Sequence, residues 1–256
     1  MCYDDNARPP IPAGATGKAQ GEDLVLTSSD GTQFAAYEAR PEHSIGARVV
    51  IYPDVRGLHQ FYKELALRFA EVGITALAID YFGRTAGLTS RDDSFEYMPH
   101  VQQLQIPNIF NDVSAALTHL QANGAGAQPI FTVGFCMGGT LSFLTGTQQL
   151  DLAGVIGFYA GMSRNFGGGG TLLDRAEKIH YPALGLFGGA DQGIPVSDVH
   201  TFDEKLDKAG IEHEIVIYEG APHSFFDRRA TDFADASADA WKQVLNFISS
   251  HTPSTK

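Results

Sequence analysis

Residues 130–140 read IFTVGFCMGGT, an apolar run that ends in Gly-Phe-Cys-Met-Gly-Gly and leads directly into a helical pattern. A strand that passes through Gly-x-Cys-x-Gly into a helix makes a sharp turn, which holds the central residue in a strained backbone conformation. The flanking positions must lack side chains for this turn to close, and Gly134 and Gly138 meet that need. The pattern predicts Cys136 as a nucleophile presented at a strand end.

Apolar runs of strand length lie on both sides of this turn. They cover residues 48–53, 74–80, 153–159 and 183–187, with a later strand at 214–218 and helical patterns at 62–72, 108–122, 197–209 and 233–247. Strands that are apolar throughout must be covered on both faces, so the alternation predicts a doubly wound, mostly parallel α/β sheet. Two alternating runs joined by Asp30-Gly31 predict an antiparallel hairpin at its N-terminal side.

The length of 256 residues is ordinary for one α/β domain. Residues 1–21 contain Pro9, Pro10 and Pro12 and are interpreted as an extended or flexible arm. We expect residues 22–250 to form the domain and residues 251–256 to form a short tail.

The charge balance excludes several classes of partner. The chain has eighteen Lys and Arg against thirty Asp and Glu, a net charge of −12, which disfavours binding to nucleic acid or to an anionic membrane surface.

The N-terminus lacks the basic and apolar regions of a secretory signal. Two cysteines, Cys2 and Cys136, cannot build a disulfide framework and fit a reducing compartment, so we expect a cytoplasmic protein.

Two further motifs follow later strands. Asp191 ends the turn Gly-Gly-Ala-Asp after the run ALGLF, and His223 lies in Gly-Ala-Pro-His-Ser-Phe after the run EIVIY. The order nucleophile, acid, histidine is that of a catalytic triad built on a nucleophile elbow, and the carboxyl ends of parallel strands meet at one edge. Taken singly, Cys136 could be a buried hydrophobe, Asp191 a turn cap and His223 a surface residue.

Together these motifs, with Val-Val-Ile-Tyr-Pro-Asp-Val-Arg-Gly at residues 49–57, resemble the dienelactone hydrolase family, the cysteine-dependent branch of the α/β-hydrolase fold. The resemblance covers residues 22–250. It implies a hydrolase of lactones or small esters, close to carboxymethylenebutenolidase, in which His223, oriented by Asp191, takes the proton of Cys136. The thiolate would then form an acyl-thioester that water hydrolyses.

The resemblance also implies roles for the loop after the first parallel strand. The backbone N–H groups of Val55 and Met137 would hold the oxyanion. Asp54 occupies the place of a family glutamate that helps to handle the proton of the nucleophile. The family arginine four positions after the catalytic histidine is replaced here by Asp227.

Other residues are candidates for substrate binding. Arg56 could pair with a substrate carboxylate or could equally form a structural ion pair. The irregular segment 81–107 and the segment after His223 could build the wall of a pocket, with candidates Tyr81, Arg84, Arg91, Phe225 and Arg228.

The motifs for metal and dinucleotide binding are missing from the sequence, so we predict neither a metal nor a cofactor. The expected partner is a small ester or lactone, and the sequence leaves the oligomeric state open, as it does the role of Cys2. A second hypothesis is a non-catalytic ligand-binding or thiol redox-sensing module on the same fold.

Overall fold

The computed structural model describes residues 6–122, 128–166 and 169–253. The strands are β1 Ala19–Thr27, β2 Gln33–Pro41, β3 Arg48–Tyr52, β4 Thr75–Ile79, β5 Ile130–Phe135, β6 Gly154–Phe158, β7 Ala183–Gly188 and β8 His213–Tyr218. The helices are α1 Gln60–Glu71, α2 Gly83–Ala86, α3 Met98–Val101, α4 Ile106–Ala122, α5 Met137–Thr145, α6 Leu172–Arg175, α7 Val196–Ala209 and α8 Ala234–Ser250, with a 3₁₀ turn at Ala176–Lys178.

The eight strands form one sheet in the order β1-β2-β4-β3-β5-β6-β7-β8. β1 pairs antiparallel with β2, and β2 antiparallel with β4. All pairs from β4 through β3 to β8 are parallel. The predicted α/β-hydrolase arrangement, a mostly parallel sheet with an N-terminal antiparallel hairpin, is confirmed. The carboxyl ends of six parallel strands therefore share one edge, where a site is expected in such a sheet.

Helices cover both faces of the central strand β5. Phe131 packs against Phe247 of α8, with ring centroids 6.1 Å apart. The next residue, Thr132, hydrogen-bonds through its hydroxyl to that of Ser142 in α5 at 2.8 Å. Successive residues of a strand point to opposite faces, so α8 and α5 lie on opposite sides of the sheet. This double cover explains why all six residues of β5 are buried.

The N-terminal arm lies on the helices α1 and α8. The indole Nε1 of Trp241 donates to the carbonyl of Pro10 at 2.9 Å, and the N–H of Gly17 donates to Glu71 at 3.1 Å. Trp241 also packs edge-on against Phe69 of α1. We call residues 6–18 the N-terminal strap. Cys2 lies outside the described residues.

None of the described helices combines the length and the apolar character that a membrane-spanning segment requires.

Candidate active site

The turn between β5 and α5 has the strained geometry that its sequence predicts. Cys136 has φ 56° and ψ −116°, and α5 begins at the next residue. A Cβ on Gly134 would clash with the backbone of Gly138, and a Cβ on Gly138 would clash with the backbone of Tyr52. Only glycine fits at these two positions. The turn therefore places the thiol at the N-terminus of a nine-residue helix, where the backbone dipole favours a thiolate.

The imidazole of His223 is held by a buried carboxylate. His223 Nδ1 lies 2.6 Å from Oδ2 of Asp191, whose side chain is 2% exposed against 22% for the histidine. The other oxygen of Asp191 accepts hydrogen bonds from the N–H groups of Gly193 at 2.8 Å and Ile194 at 3.2 Å. The Nδ1 proton is thereby directed to Asp191, which makes Nε2 the ring nitrogen that can accept a proton.

These groups meet in one cavity of about 480 Å³. Cys136, Asp191 and His223 line it, although they come from three different strand ends. Val55 and Met137, the two residues expected to contribute oxyanion donors, line it as well. A thiol, an imidazole with an acidic partner and two backbone segments around a small cavity can perform acyl transfer.

Asp54 and Arg56 bind each other beside this cavity. The guanidinium of Arg56 reaches both carboxylate oxygens of Asp54, with Nη2 to Oδ2 at 2.9 Å, and the backbone N–H of Arg56 donates to Oδ1 at 2.9 Å. Both residues are buried. Of the two roles considered for Arg56, the structure therefore shows the ion pair within the fold.

Most of the other substrate-binding candidates lie away from the cavity. Arg91 forms a buried ion pair with Asp80 at 2.9 Å, and Arg84 binds Asp112 at 2.6 Å. These arginines neutralise one carboxylate directly after β4 and one in α4. The partners are distant in sequence, so the pairings could not be predicted from it.

The aromatic candidates also belong to the core. The hydroxyl of Tyr81 donates to the carbonyl of Pro53 at 2.7 Å, and Phe225 is completely buried. Among the six substrate-binding candidates, Arg228 is the one found in the lining of the cavity.

Sequence reasoning missed Arg164 and Phe166. Both line the cavity, and the guanidinium of Arg164 lies 4.9 Å from the centre of the Phe166 ring. They follow β6, so the rule that sites gather at the carboxyl ends of parallel strands could have identified them. The cavity thus presents two arginines, Arg164 and Arg228, within an acidic protein.

No three His, Cys, Asp or Glu side chains of the described residues converge in a way that could hold a metal ion.

Comparison with known proteins identifies the family of this chain. The model of the dienelactone hydrolase family matches residues 34–252. A relative from Methylorubrum extorquens named "Putative carboxymethylenebutenolidase" is 27% identical over 252 residues, which cover 94% of this chain and 84% of the relative. One of the same name from Escherichia coli K12 is 26% identical over 226 residues, with 86% and 83% covered.

Solved structures show the same fold. The crystal structure titled as a putative dienelactone hydrolase from Klebsiella pneumoniae superposes with a TM-score of 0.77 at 23% identity, covering 91% of this chain and 99% of its own. A dienelactone hydrolase-like promiscuous phosphotriesterase from metagenomic libraries, P91, gives a TM-score of 0.74 at 21% identity, with 91% and 99% covered.

Proposed function

Because this chain belongs to the dienelactone hydrolase family, a family of carboxymethylenebutenolidase-like hydrolases, we propose that it hydrolyses small esters or lactones through a cysteine nucleophile. The observation that carries the proposal is one cavity lined by Cys136 on its strained turn and by the hydrogen-bonded pair His223–Asp191. A binding protein would need neither the base nor the acid that orients it.

The reaction starts with a proton transfer. His223 takes the thiol proton of Cys136 at Nε2, and Asp191 stabilises the imidazolium through its 2.6 Å bond to Nδ1. The thiolate attacks the carbonyl carbon of the substrate. When the C–O bond of the ester breaks, the leaving oxygen takes the proton from His223. Water, deprotonated by the same imidazole, then cleaves the acyl-thioester and regenerates the thiol.

The negative oxygen of the tetrahedral intermediate needs donors already in place. We assign this role to the N–H groups of Met137, the first residue of α5, and of Val55, in the loop after β3. Loss of one such donor typically costs ~3 kcal/mol of transition-state stabilisation. Asp54 is absent from the lining of the cavity and stabilises this loop by binding the backbone N–H and the guanidinium of Arg56.

The cavity suits a small substrate that carries an anionic group. Its volume is within the range of small-molecule sites, and Arg164 and Arg228 bring positive charge to it. Phe166 and Ile194 supply apolar lining beside these charges. We propose that the two arginines face the anionic end of the substrate while its carbonyl lies against Cys136.

The test combines turnover with detection of the intermediate. Purified protein is expected to hydrolyse dienelactone or p-nitrophenyl acetate, and Cys136→Ala is expected to abolish this activity. Intact-mass measurement after rapid quenching should show one acyl group on the wild type and none on Cys136→Ala. Cys2→Ala is the matched control, because it removes the other cysteine of the chain and should still be acylated.

Turnover that persists in Cys136→Ala would remove the cysteine mechanism. A protein that binds ligands or is oxidised by peroxide at Cys136, without any acyl adduct, would instead support the redox-sensing or ligand-binding hypothesis.

A further inference from the structure

A buried polar cluster adjoins the cavity, and the proposed reaction does not use it. The cluster consists of Asp54, Arg56, Tyr62, Tyr159 and Asp227, each at most 4% exposed. These residues come from the loop after β3, from α1, from the end of β6 and from the segment that follows His223. Buried ionisable groups are costly, so a set of them beside a reaction centre calls for a role.

Asp227 connects this cluster to the segment between His223 and Arg228. Its Oδ2 accepts a hydrogen bond from the hydroxyl of Tyr159 at 3.1 Å, and its Oδ1 accepts one from the backbone N–H of Arg228. Its own N–H donates to the carbonyl of Ser224 at 3.2 Å. The carboxyl group of Asp227 therefore binds Tyr159 and the start of Arg228, while its backbone binds Ser224, the residue after His223.

Tyr159 links Asp227 to the imidazole of His223. Its ring centroid lies 4.9 Å from that of His223, and its φ is +35°, a left-handed value that a tyrosine rarely adopts. Such a conformation persists only where the surroundings hold it in place. The hydroxyl bond to Asp227 and the contact with His223 are two of the interactions that do so.

Asp227 lies near one negatively charged side chain, Asp54, and one positively charged side chain, Arg56. Arg56 engages both oxygens of Asp54, so the Asp54–Arg56 pair is neutral as a unit. Burial, and next the nearby charge of Asp54, raise the pKa of Asp227 to about 7, against the opposing effects of the Arg228 N–H, Arg56 and Tyr159. Tyr62 faces the same carboxyl from α1, and its own pKa is raised, first by burial. Asp227 consequently changes its charge near neutral pH.

We propose that Asp227 is a positioning residue that supports hydrolysis in its protonated, neutral form, acting through Tyr159 on His223 and through the cluster on the loop of Val55. This inference rests on the proposed function. While Asp227 is neutral, the cluster has no net charge. Once it ionises, the cluster carries an uncompensated negative charge near Asp54 and Arg56, which flank the Val55 N–H assigned to the oxyanion, and this charge opposes the transition state.

The experiment is a pH profile of kcat for p-nitrophenyl acetate between pH 5 and 9.5, with product measured by chromatography. In the wild type, kcat is expected to rise as His223 becomes neutral and then to fall above about pH 7. Asp227→Asn keeps the shape of the side chain and cannot ionise. Its kcat should lack the fall, and at pH 9 it should exceed the wild-type value by about tenfold, with KM unchanged within about twofold.

Two further variants make the result specific. Tyr159→Phe keeps the ring beside His223 but removes the bond to Asp227, so kcat at pH 6 should decrease several-fold while KM stays constant. Asp112→Asn is the matched control: Asp112 is a buried carboxyl of α4 that binds Ser28 and Arg84, and its pKa is also raised, first by burial. Its pH profile should equal that of the wild type.

The inference is overturned, while the proposed function stands, if kcat of the wild type does not fall at high pH. It is likewise overturned if kcat falls at high pH in Asp227→Asn as it does in the wild type. A wild type that hydrolyses no ester overturns the proposed function, and the role of Asp227 in that reaction with it.

Discussion

Four of the arginines that follow the carboxyl ends of parallel strands divide into two groups. Arg56 and Arg91, after β3 and β4, are buried against Asp54 and Asp80. Arg164 and Arg228, after β6 and β8, line the cavity. The first two arginines are neutralised within the fold by carboxylates that follow the same strands, Asp54 after β3 and Asp80 after β4. Position at a strand end is therefore insufficient to predict an arginine of the cavity; whether a carboxylate binds its guanidinium within the fold must also be known.

Among the arginine variants, removal of Arg91 should have the largest effect, which is a loss of stability. Arg91→Met leaves the completely buried Asp80 without its ion pair, so the free energy of unfolding should fall by ~3–5 kcal/mol. Urea unfolding followed by circular dichroism measures this loss. In the double variant Asp80→Asn with Arg91→Met, a substantial part of the stability should return, because no buried charge is left unpaired. A stability change below ~1 kcal/mol in Arg91→Met would show that the pair is not part of the framework.

Removal of Arg228 should affect substrate binding instead. Arg228→Met is expected to raise KM for mono-p-nitrophenyl succinate about tenfold and to leave KM for uncharged p-nitrophenyl butyrate unchanged. Arg229→Met is the matched control, because Arg229 pairs with Asp232 at 2.7 Å at the surface. Equal changes in KM for both esters would contradict contact between Arg228 and an anionic group.

The smallest effect is expected for Arg164. Its side chain is exposed and rests against Phe166, so water screens its charge more than that of the half-buried Arg228. Arg164→Met should raise KM for the succinate ester by about two- to threefold, and high salt should reduce the difference. If Arg164→Met weakened binding more than Arg228→Met, the assignment of the two arginines would have to be reversed.

Local sequence patterns predicted the parts of the site that depend on neighbouring residues. The glycines around Cys136 mark a turn that tolerates no side chain, and the strand ends before Asp191 and His223 follow from apolar runs. For this reason the sheet, the hairpin and the meeting of these three residues at one cavity could be anticipated.

Pairings between distant residues could not be predicted in the same way. Arg84 and Asp112 are 28 positions apart, and Asp227 and Tyr159 are 68 positions apart. Nothing local marks either pair, since each depends on how strands and helices are brought together. The resemblance implied an arginine at the position of Asp227, and the sequence showed that it is absent there, but the burial that raises the pKa of Asp227 required the fold.

The N-terminal strap has a consequence for biosynthesis. Pro10 and Trp241 are 231 residues apart, so their hydrogen bond can form only after α8 has left the ribosome. Until then the nascent chain leaves Phe69 and Phe226 without the indole that covers them in the finished protein. A chain that stops short of α8 would lack this cover on both rings, and such an incomplete product presents more of the apolar surface that chaperones and proteases recognise.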